Sequence, residues 1–89
     1  MSYEEEIGGL RIEINRLNGE IVDRLAERVG VAMKIGEAKR RHGRPIVDRS
    51  REGKVYEQIR LLAEARGLDA DGVERIFREI IRLCTEAQK

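Results

Sequence analysis

Residues 7–38, IGGLRIEINRLNGEIVDRLAERVGVAMKIGEA, decide the fold of this 89-residue chain. Apolar residues recur here at steps of mostly three and four, which places their side chains on one stripe of an α-helix. The stripe consists of Ile7, Leu10, Ile14, Leu17, Ile21, Leu25, Ala32, Ile35 and Ala38. No proline lies between Tyr3 and Arg41, and the glycines within the stripe are mostly isolated. The pattern therefore predicts one continuous helix of about 38 residues.

The first clear helix stop is the segment from His42 to Pro45. Gly43 can adopt the left-handed conformation that ends a helix, and Pro45 cannot continue one. Asp48 then occupies an N-cap position before a second helix predicted over residues 49–66. The apolar side of this helix consists of Val55, Tyr56, Ile59, Leu62 and Ala63.

A third helix is predicted over residues 70–88, after Gly67 ends the second. Asp69 is the candidate N-cap. The predicted inner face consists of Val73, Ile76, Phe77, Ile80, Ile81 and Cys84. Without any strand candidate, the expected fold class is all-α, with one long and two shorter helices in a single domain over residues 1–89.

The composition excludes several classes of protein. Eighteen Lys and Arg nearly balance 17 Asp and Glu, which argues against a nucleic-acid binder. No stretch approaches the ~18 apolar residues of a membrane span, and the acidic N-terminus does not resemble a signal peptide, so a cytoplasmic protein is expected. One His and one Cys support neither a metal site nor a disulfide framework. No cofactor is expected.

The length of the first helix indicates a partner chain. About 38 residues at ~1.5 Å each make a rod of roughly 57 Å, whereas a compact chain of this size has a radius of gyration of only ~12 Å. Two shorter helices cannot cover such a rod, and aromatic residues, at 3%, contribute little core. An antiparallel pairing of two long helices in an intertwined homodimer would bury the remaining stripe.

Basic side chains stand at positions of the stripe where apolar ones are expected. Arg28 interrupts the stripe, and Lys39 follows eleven residues later, about three turns away on nearly the same face. Arg51 opens the second helix, while Arg11 lies roughly 25 Å before Arg28 and on another side of the rod. Arg11 could therefore share a ligand with Arg28 only if that Arg28 belongs to a partner chain. Cations gathered on a half-buried stripe need anions, so the pattern indicates a pocket for a small dianion.

Taken singly, these residues have simpler explanations. Each arginine is most often solvated or paired with a nearby carboxylate, and Asp48 is most simply an N-cap. Cys84 is most simply a buried small residue, and His42 belongs to a loop. Composition and periodicity alone therefore reach a helical oligomer with an anion pocket.

The ordered set of residues is more specific than its members. The chain carries Leu10-Arg11, Ile14 and Leu17, then Leu25-Ala26-Glu27-Arg28, Ile35-Gly36-Glu37-Ala38-Lys39, Arg44-Pro45-Ile46-Val47-Asp48-Arg49-Ser50-Arg51-Glu52, Phe77, Ile80-Ile81, Cys84 and Gln88. This order resembles the all-helical chorismate mutases over nearly the whole chain. The resemblance implies that the chain rearranges chorismate to prephenate, in phenylalanine and tyrosine biosynthesis, in sites shared between two subunits.

The resemblance also implies a role for each cationic residue. Arg11 of one subunit and Arg28 of the other should bind the two substrate carboxylates, and Arg51 should help at the ring carboxylate. Lys39 should contact the ether oxygen and a carboxylate, and Gln88 should donate to the same ether oxygen. Lys39, Gln88 and Arg28 are thus the predicted catalytic residues.

The remaining predicted site residues bind or enclose the substrate. Glu52 and the backbone at Asp48 should hold the ring hydroxyl. Cys84 stands where relatives often have a serine that assists a carboxylate, and a thiol is a weaker donor than a hydroxyl. The predicted pocket wall consists of Ile35, Val55, Ile81 and Thr85.

Two other functions compete with this hypothesis. An isochorismate-pyruvate lyase shares the fold and much of the cationic pocket, but the Asp48 to Glu52 block favours the mutase. A helical dimerisation module without catalysis predicts apolar or exchangeable residues at positions 28 and 39, and both positions carry cations.

Overall fold

The computed structural model describes residues 1–89 as three α-helices without strands. Helix α1 spans Tyr3–Arg41, α2 spans Arg49–Ala65 and α3 spans Ala70–Gln88. The predicted all-α architecture of one long and two shorter helices is confirmed. Helix α2 ends one residue before the predicted limit, because Arg66 is its C-cap.

Local sequence signals set most of the helix ends. The Ser2 hydroxyl accepts a hydrogen bond from the Glu5 N–H at 3.2 Å, and Asp48 Oδ1 accepts one from the Arg51 N–H at 3.0 Å. These side chains satisfy N–H groups that lack partners in the first turn. Gly43 and Gly67 have φ of 65° and 69°, as expected of glycines that end helices.

The predicted N-cap position of Asp69 is confirmed, but the side-chain hydrogen bond typical of an N-cap is absent. Asp69 occupies the N-cap position, but its carboxylate makes no capping hydrogen bond. Its backbone carbonyl accepts the Val73 N–H at 3.0 Å instead. The first turn of α3 is only partly buried, so water can satisfy the remaining N–H groups.

Helix α3 lies between the other two helices. It packs on α1 and on α2, whereas α1 and α2 do not pack on each other. The core is small: Ala32, Ile59, Ala63 and Cys84 are the buried apolar side chains, and Gly36 is buried beside α3. Because only α3 joins α1 and α2, a gap remains between them.

The amino-terminal part of α1 extends beyond the other helices. The chain measures 61 × 24 × 15 Å, with a radius of gyration of 17.2 Å rather than the ~12 Å of a compact chain. Residues 9–24 are all exposed, including the stripe residues Ile14 (56%) and Ile21 (58%). The expectation that α2 and α3 cannot cover the long helix is confirmed. No helix is long and apolar enough to cross a membrane.

Ile76, which was predicted on the inner face of α3, and Leu62, on the apolar side of α2, are both exposed. Ile76 of α3 is 60% accessible, because it lies in an open groove where α1 and α3 diverge. Leu62 of α2 is also exposed, on a helix that only α3 covers. The predicted inward position of Ile76 is therefore wrong within the single chain.

A cluster of charged side chains joins α2 to α3. Arg60 pairs with Asp71 at 2.8 Å and with Glu74 at 3.2 Å, and Arg78 pairs with Glu74 at 2.8 Å. The Arg78 guanidinium also lies 4.4 Å from the ring centre of Tyr56, a cation–π contact. The hydrogen bond from Arg78, followed by that from Arg60, holds the pKa of Glu74 below its ordinary value of 4.5.

This lowered pKa predicts an acid-sensitive contribution to folding. Since the folded-state pKa of Glu74 is below the unfolded-state value, its stabilisation is fully present above the ordinary pKa and is lost as pH falls through the folded pKa. In urea unfolding from about pH 6 to about pH 3, we expect Glu74→Gln to lose less stability than wild type. The exposed Glu57 is the control, and Glu57→Gln should retain the wild-type pH dependence. Parallel pH profiles for wild type and Glu74→Gln would contradict the assignment.

Candidate active site

The gap between α1 and α2 forms a cavity of about 380 Å³ with α3 as its floor. All three helices and the loop before α2 contribute to its walls. It is lined by Arg28, Val31, Ala32, Ile35, Lys39, Ile46, Asp48, Arg51, Glu52, Val55, Ile81, Cys84, Thr85 and Gln88. A volume of this size suits a small organic molecule.

The cavity brings together every predicted site residue except Arg11. Arg11 is exposed on the projecting part of α1, and the continuous helix separates it from Arg28 by roughly 25 Å. Three further lining residues, Val31, Ala32 and Ile46, were not predicted as part of the site. Positions 28, 31, 32, 35 and 39 follow helical spacing, so Val31 and Ala32 could have been found from the register of Arg28 and Lys39.

Lys39 connects three parts of the cavity. Its Nζ donates to the Ile46 carbonyl at 2.7 Å and to Gln88 Oε1 at 3.4 Å. The Gln88 amide Nε2 donates to the Cys84 carbonyl at 3.3 Å. The ammonium of α1 and the amide of α3 therefore lie side by side, where both could donate to one small acceptor.

Arg28 contacts a neutral partner. Its Nη1 donates to Cys84 Sγ at 2.9 Å, and Cys84 is 4% exposed. The buried position predicted for Cys84 is confirmed. Because a thiol sulfur is a weak acceptor, this contact leaves most of the hydrogen-bonding capacity of the guanidinium unused.

Neither carboxylate of the cavity forms an ion pair with one of its three cations. Asp48 caps α2, and Glu52 pairs at 3.5 Å with Arg49, an arginine that does not line the cavity. Arg28, Lys39 and Arg51 form no ion pair within the chain. The cavity thus combines three unpaired cations and two carboxylates with an apolar wall. The excess of cations suits a small anion with a hydrophobic body.

Comparisons with known proteins agree with this geometry. Residues 10–89 match the profile of the family described as chorismate mutase type II. The chain belongs to the chorismate mutase type II family. Among its relatives, the chorismate mutase of Methanocaldococcus jannaschii is 31% identical over 96% of this chain and 86% of that protein.

Other relatives of this chorismate mutase type II chain are longer. The bifunctional chorismate mutase/prephenate dehydratase of Aquifex aeolicus is 39% identical over 96% of this chain but only 24% of its own length. The chain thus spans about a quarter of the length of such bifunctional relatives. A solved structure, a conserved hypothetical protein from Pyrococcus furiosus, matches the whole chain with a TM-score of 0.76 and 27% identity. The three-helix arrangement is therefore shared with an experimentally determined structure.

Proposed function

We propose that this chain is a chorismate mutase, which converts chorismate to prephenate in the cavity between α1 and α2. The observation that carries the proposal is the set of three unpaired cations, Arg28, Lys39 and Arg51, gathered in one small cavity. Chorismate is a small dianion with an apolar ring, and it matches both the charge and the lining of this cavity. Membership in the chorismate mutase type II family supports the same substrate.

The reaction needs positioning and charge stabilisation rather than a nucleophile. In one concerted rearrangement the ether C–O bond breaks as a C–C bond forms, and no atom enters or leaves the molecule. Negative charge develops on the ether oxygen in the transition state. Fixed donors aimed at this oxygen accelerate the step because they stabilise the transition state more than the ground state.

Lys39 and Gln88 are the proposed donors to the ether oxygen. Lys39 Nζ donates to Gln88 Oε1 at 3.4 Å, so the ammonium lies beside the amide whose Nε2 would be the second donor to the ether oxygen. Lys39 supplies a full charge, and Gln88 supplies a neutral N–H whose direction the helix controls. Lys39 would also reach a substrate carboxylate.

The other polar residues would hold the substrate in its reactive conformation. Arg28 and Arg51 bind carboxylates, since a planar guanidinium can form two parallel hydrogen bonds to a carboxylate. The Glu52 carboxylate would accept a hydrogen bond from the ring hydroxyl, and the backbone of Asp48 would help to hold the same group. Holding the two reacting ends together in this way is a major source of rate enhancement for a reaction within one molecule.

We further propose that the active unit is a homodimer in which Arg11 of one subunit completes the cavity of the other. The exposed stripe on α1 supports this proposal, as does an open groove formed by Leu17 and Ile21 of α1 with Ile76 and Phe77 of α3. Antiparallel pairing of two α1 helices would cover both surfaces. It would also place the amino-terminal part of α1 beside the Arg28–Lys39 region of its partner.

A chorismate assay tests the proposed activity directly. The purified chain should consume chorismate and form prephenate in equal amount, with no added metal or cofactor. Isochorismate, assayed in parallel, should release little pyruvate. Failure to consume chorismate, or efficient release of pyruvate from isochorismate alone, would contradict the proposal.

The dimer predicts that folding depends on protein concentration. Sedimentation at micromolar concentration should give the mass of two chains. The thermal unfolding midpoint should rise with protein concentration, because association and folding are coupled. A stable folded monomer, with a midpoint independent of concentration, would contradict the proposed pairing.

Replacing the amide of Gln88 should make activity depend on pH. In Gln88→Glu the side chain can donate to the ether oxygen only when protonated, whereas an amide donates at any ordinary pH. We expect wild type to show a broad plateau in kcat/KM around neutrality and Gln88→Glu to be active mainly in acid. Gln58→Glu, the same change on the exposed side of α2, should keep the plateau. An unchanged profile in Gln88→Glu would remove Gln88 from the ether contact.

A further inference from the structure

Gln88 is held by more than the hydrogen bonds of its side-chain amide. It is the last residue of α3, and the final carbonyls of a helix have no partner within the helix. Its amide makes hydrogen bonds of 3.3 Å to the Cys84 carbonyl and 3.4 Å to Lys39 Nζ. Both are slightly longer than the usual range for such bonds, and two further contacts with α1 hold the same residue.

The first of these contacts is with Gly36 of α1. A Cβ built at Gly36 would lie 2.9 Å from Gln88 Cβ, 3.0 Å from Cγ and 3.1 Å from Cα. Since the Gln88 backbone is among these atoms, a side-chain rotation could not make room. By contrast, Gly19 and Gly30 of the same helix have no atom within 4 Å of their built Cβ. Glycine is a poor helix former, and at position 36 the close approach of the two helices requires it.

The second contact is with Arg40, one turn further along α1. Its Nη1 donates to the Gln88 backbone carbonyl at 2.6 Å. The guanidinium thus satisfies one of the unpaired carbonyls at the end of α3 and places a positive charge at the negative end of the helix dipole. The side chain of its neighbour Arg41 is also exposed and makes no hydrogen bond.

We propose that Gly36 and Arg40 are positioning residues that aim the Gln88 amide at the ether oxygen of the substrate. Neither lines the cavity. With Lys39, they hold three different parts of Gln88 from one turn of α1: Gly36 the Cα–Cβ region, Lys39 the side-chain amide, and Arg40 the backbone carbonyl. This inference rests on the proposed function of the cavity, because Gln88 can act there only if its amide points at the ether oxygen.

Gly36→Ala is the first test. The added methyl group displaces the end of α3, and a displacement of about 1 Å in a catalytic group can reduce the rate by up to ~10²-fold. We expect kcat to fall about 10- to 100-fold with a much smaller change in KM, because the carboxylate-binding arginines remain in place. Gly30→Ala is the matched control, since it adds the same methyl group to the same helix in open space, and it should keep wild-type kcat.

Arg40→Ala is the second test, with Arg41→Ala as its control. Both variants remove one arginine from the last turn of α1, but only the first removes the contact with the Gln88 carbonyl. We expect a several-fold loss of kcat in Arg40→Ala and none in Arg41→Ala. The loss should be smaller than the ~10-fold or more of a buried charge-assisted hydrogen bond, because this one is exposed. Arg40→Ala leaves the close contact between Gly36 and Gln88 unchanged. It therefore tests the inference even if Gly36→Ala does not fold.

A cycle with Gln88→Ala separates positioning from general stability. If Gly36 and Arg40 act through the amide, their substitution in the Gln88→Ala background should reduce kcat no further. The side-chain amide signals of Gln88 in ¹⁵N spectra should also shift in Gly36→Ala and Arg40→Ala but not in either control. Losses that persist in full in the Gln88→Ala background, or wild-type kcat in folded Gly36→Ala and Arg40→Ala, would overturn the inference. Wild-type protein inactive on chorismate would instead overturn the proposed function on which it rests.

Discussion

Lys39→Ala should lower kcat by about 10²- to 10³-fold while weakening substrate binding far less. The ammonium faces an oxygen whose negative charge grows only in the transition state, so its removal raises the barrier more than it affects the ground-state complex. Steady-state kinetics with chorismate give both parameters. The size of the expected effect follows from the position of Nζ, which lies within hydrogen-bonding reach of the Ile46 carbonyl and the Gln88 amide rather than in bulk solvent.

The control for this variant is Lys34→Ala. Lys34 is an exposed residue of the same helix, away from the cavity lining, and its removal changes the net charge by the same amount. Because Lys39 also holds the loop through the Ile46 carbonyl, circular dichroism of Lys39→Ala should accompany the kinetics. A folded Lys39→Ala protein with kcat within a few-fold of wild type would show that the ammonium does not stabilise the transition state.

Arg11→Ala and Arg28→Ala should each be nearly inactive as homodimers but should regain activity when mixed. Each variant removes one carboxylate-binding arginine from both cavities of the proposed dimer. In a mixed dimer one cavity receives both defects and the other receives neither. Refolding equal amounts together should make about half the dimers mixed, so roughly a quarter of wild-type activity should return if the cavities act independently.

The outcome of mixing depends on the geometry of α1. Along one continuous helix Arg11 and Arg28 are roughly 25 Å apart, too far to bind one small molecule. If both arginines nevertheless served a cavity within one chain, every cavity would keep one defect and mixing would restore nothing. Arg16→Ala provides a control, since Arg16 pairs with Glu20 on the exposed surface, and mixing it with Arg28→Ala should give activity explained by the Arg16→Ala subunits alone.

Both experiments depend on a site that was only partly visible in the sequence. The resemblance to the chorismate mutases identified all the cations of the cavity by residue number, together with Gln88 and the acidic pair Asp48 and Glu52. It did not indicate that the Cys84 sulfur accepts a hydrogen bond from Arg28. Periodicity places a residue on a face of its own helix, but it carries no information on which atom of another helix lies opposite.

The helices themselves were determined by the sequence. The three- and four-residue steps of apolar residues, the N-caps Ser2 and Asp48, and the glycines at 43 and 67 are local signals, and the helix limits follow them closely. Hydrogen bonds within a helix join residues four apart, so the information needed to form it lies within a few turns. Asp69 marks the limit of such signals, because a suitable residue at the N-cap position does not guarantee a side-chain bond.

Only the tertiary structure decided that α3 separates α1 from α2, and this separation creates the cavity. It also decided that Gly36 approaches the Gln88 backbone and that Arg40 reaches its carbonyl, across 52 and 48 positions of the chain respectively. These contacts depend on the relative placement of whole helices, which many weak packing interactions set together. The exposure of Ile76 and of the amino-terminal stripe has the same origin, since burial is a property of neighbouring surfaces and not of the residue that the sequence places there.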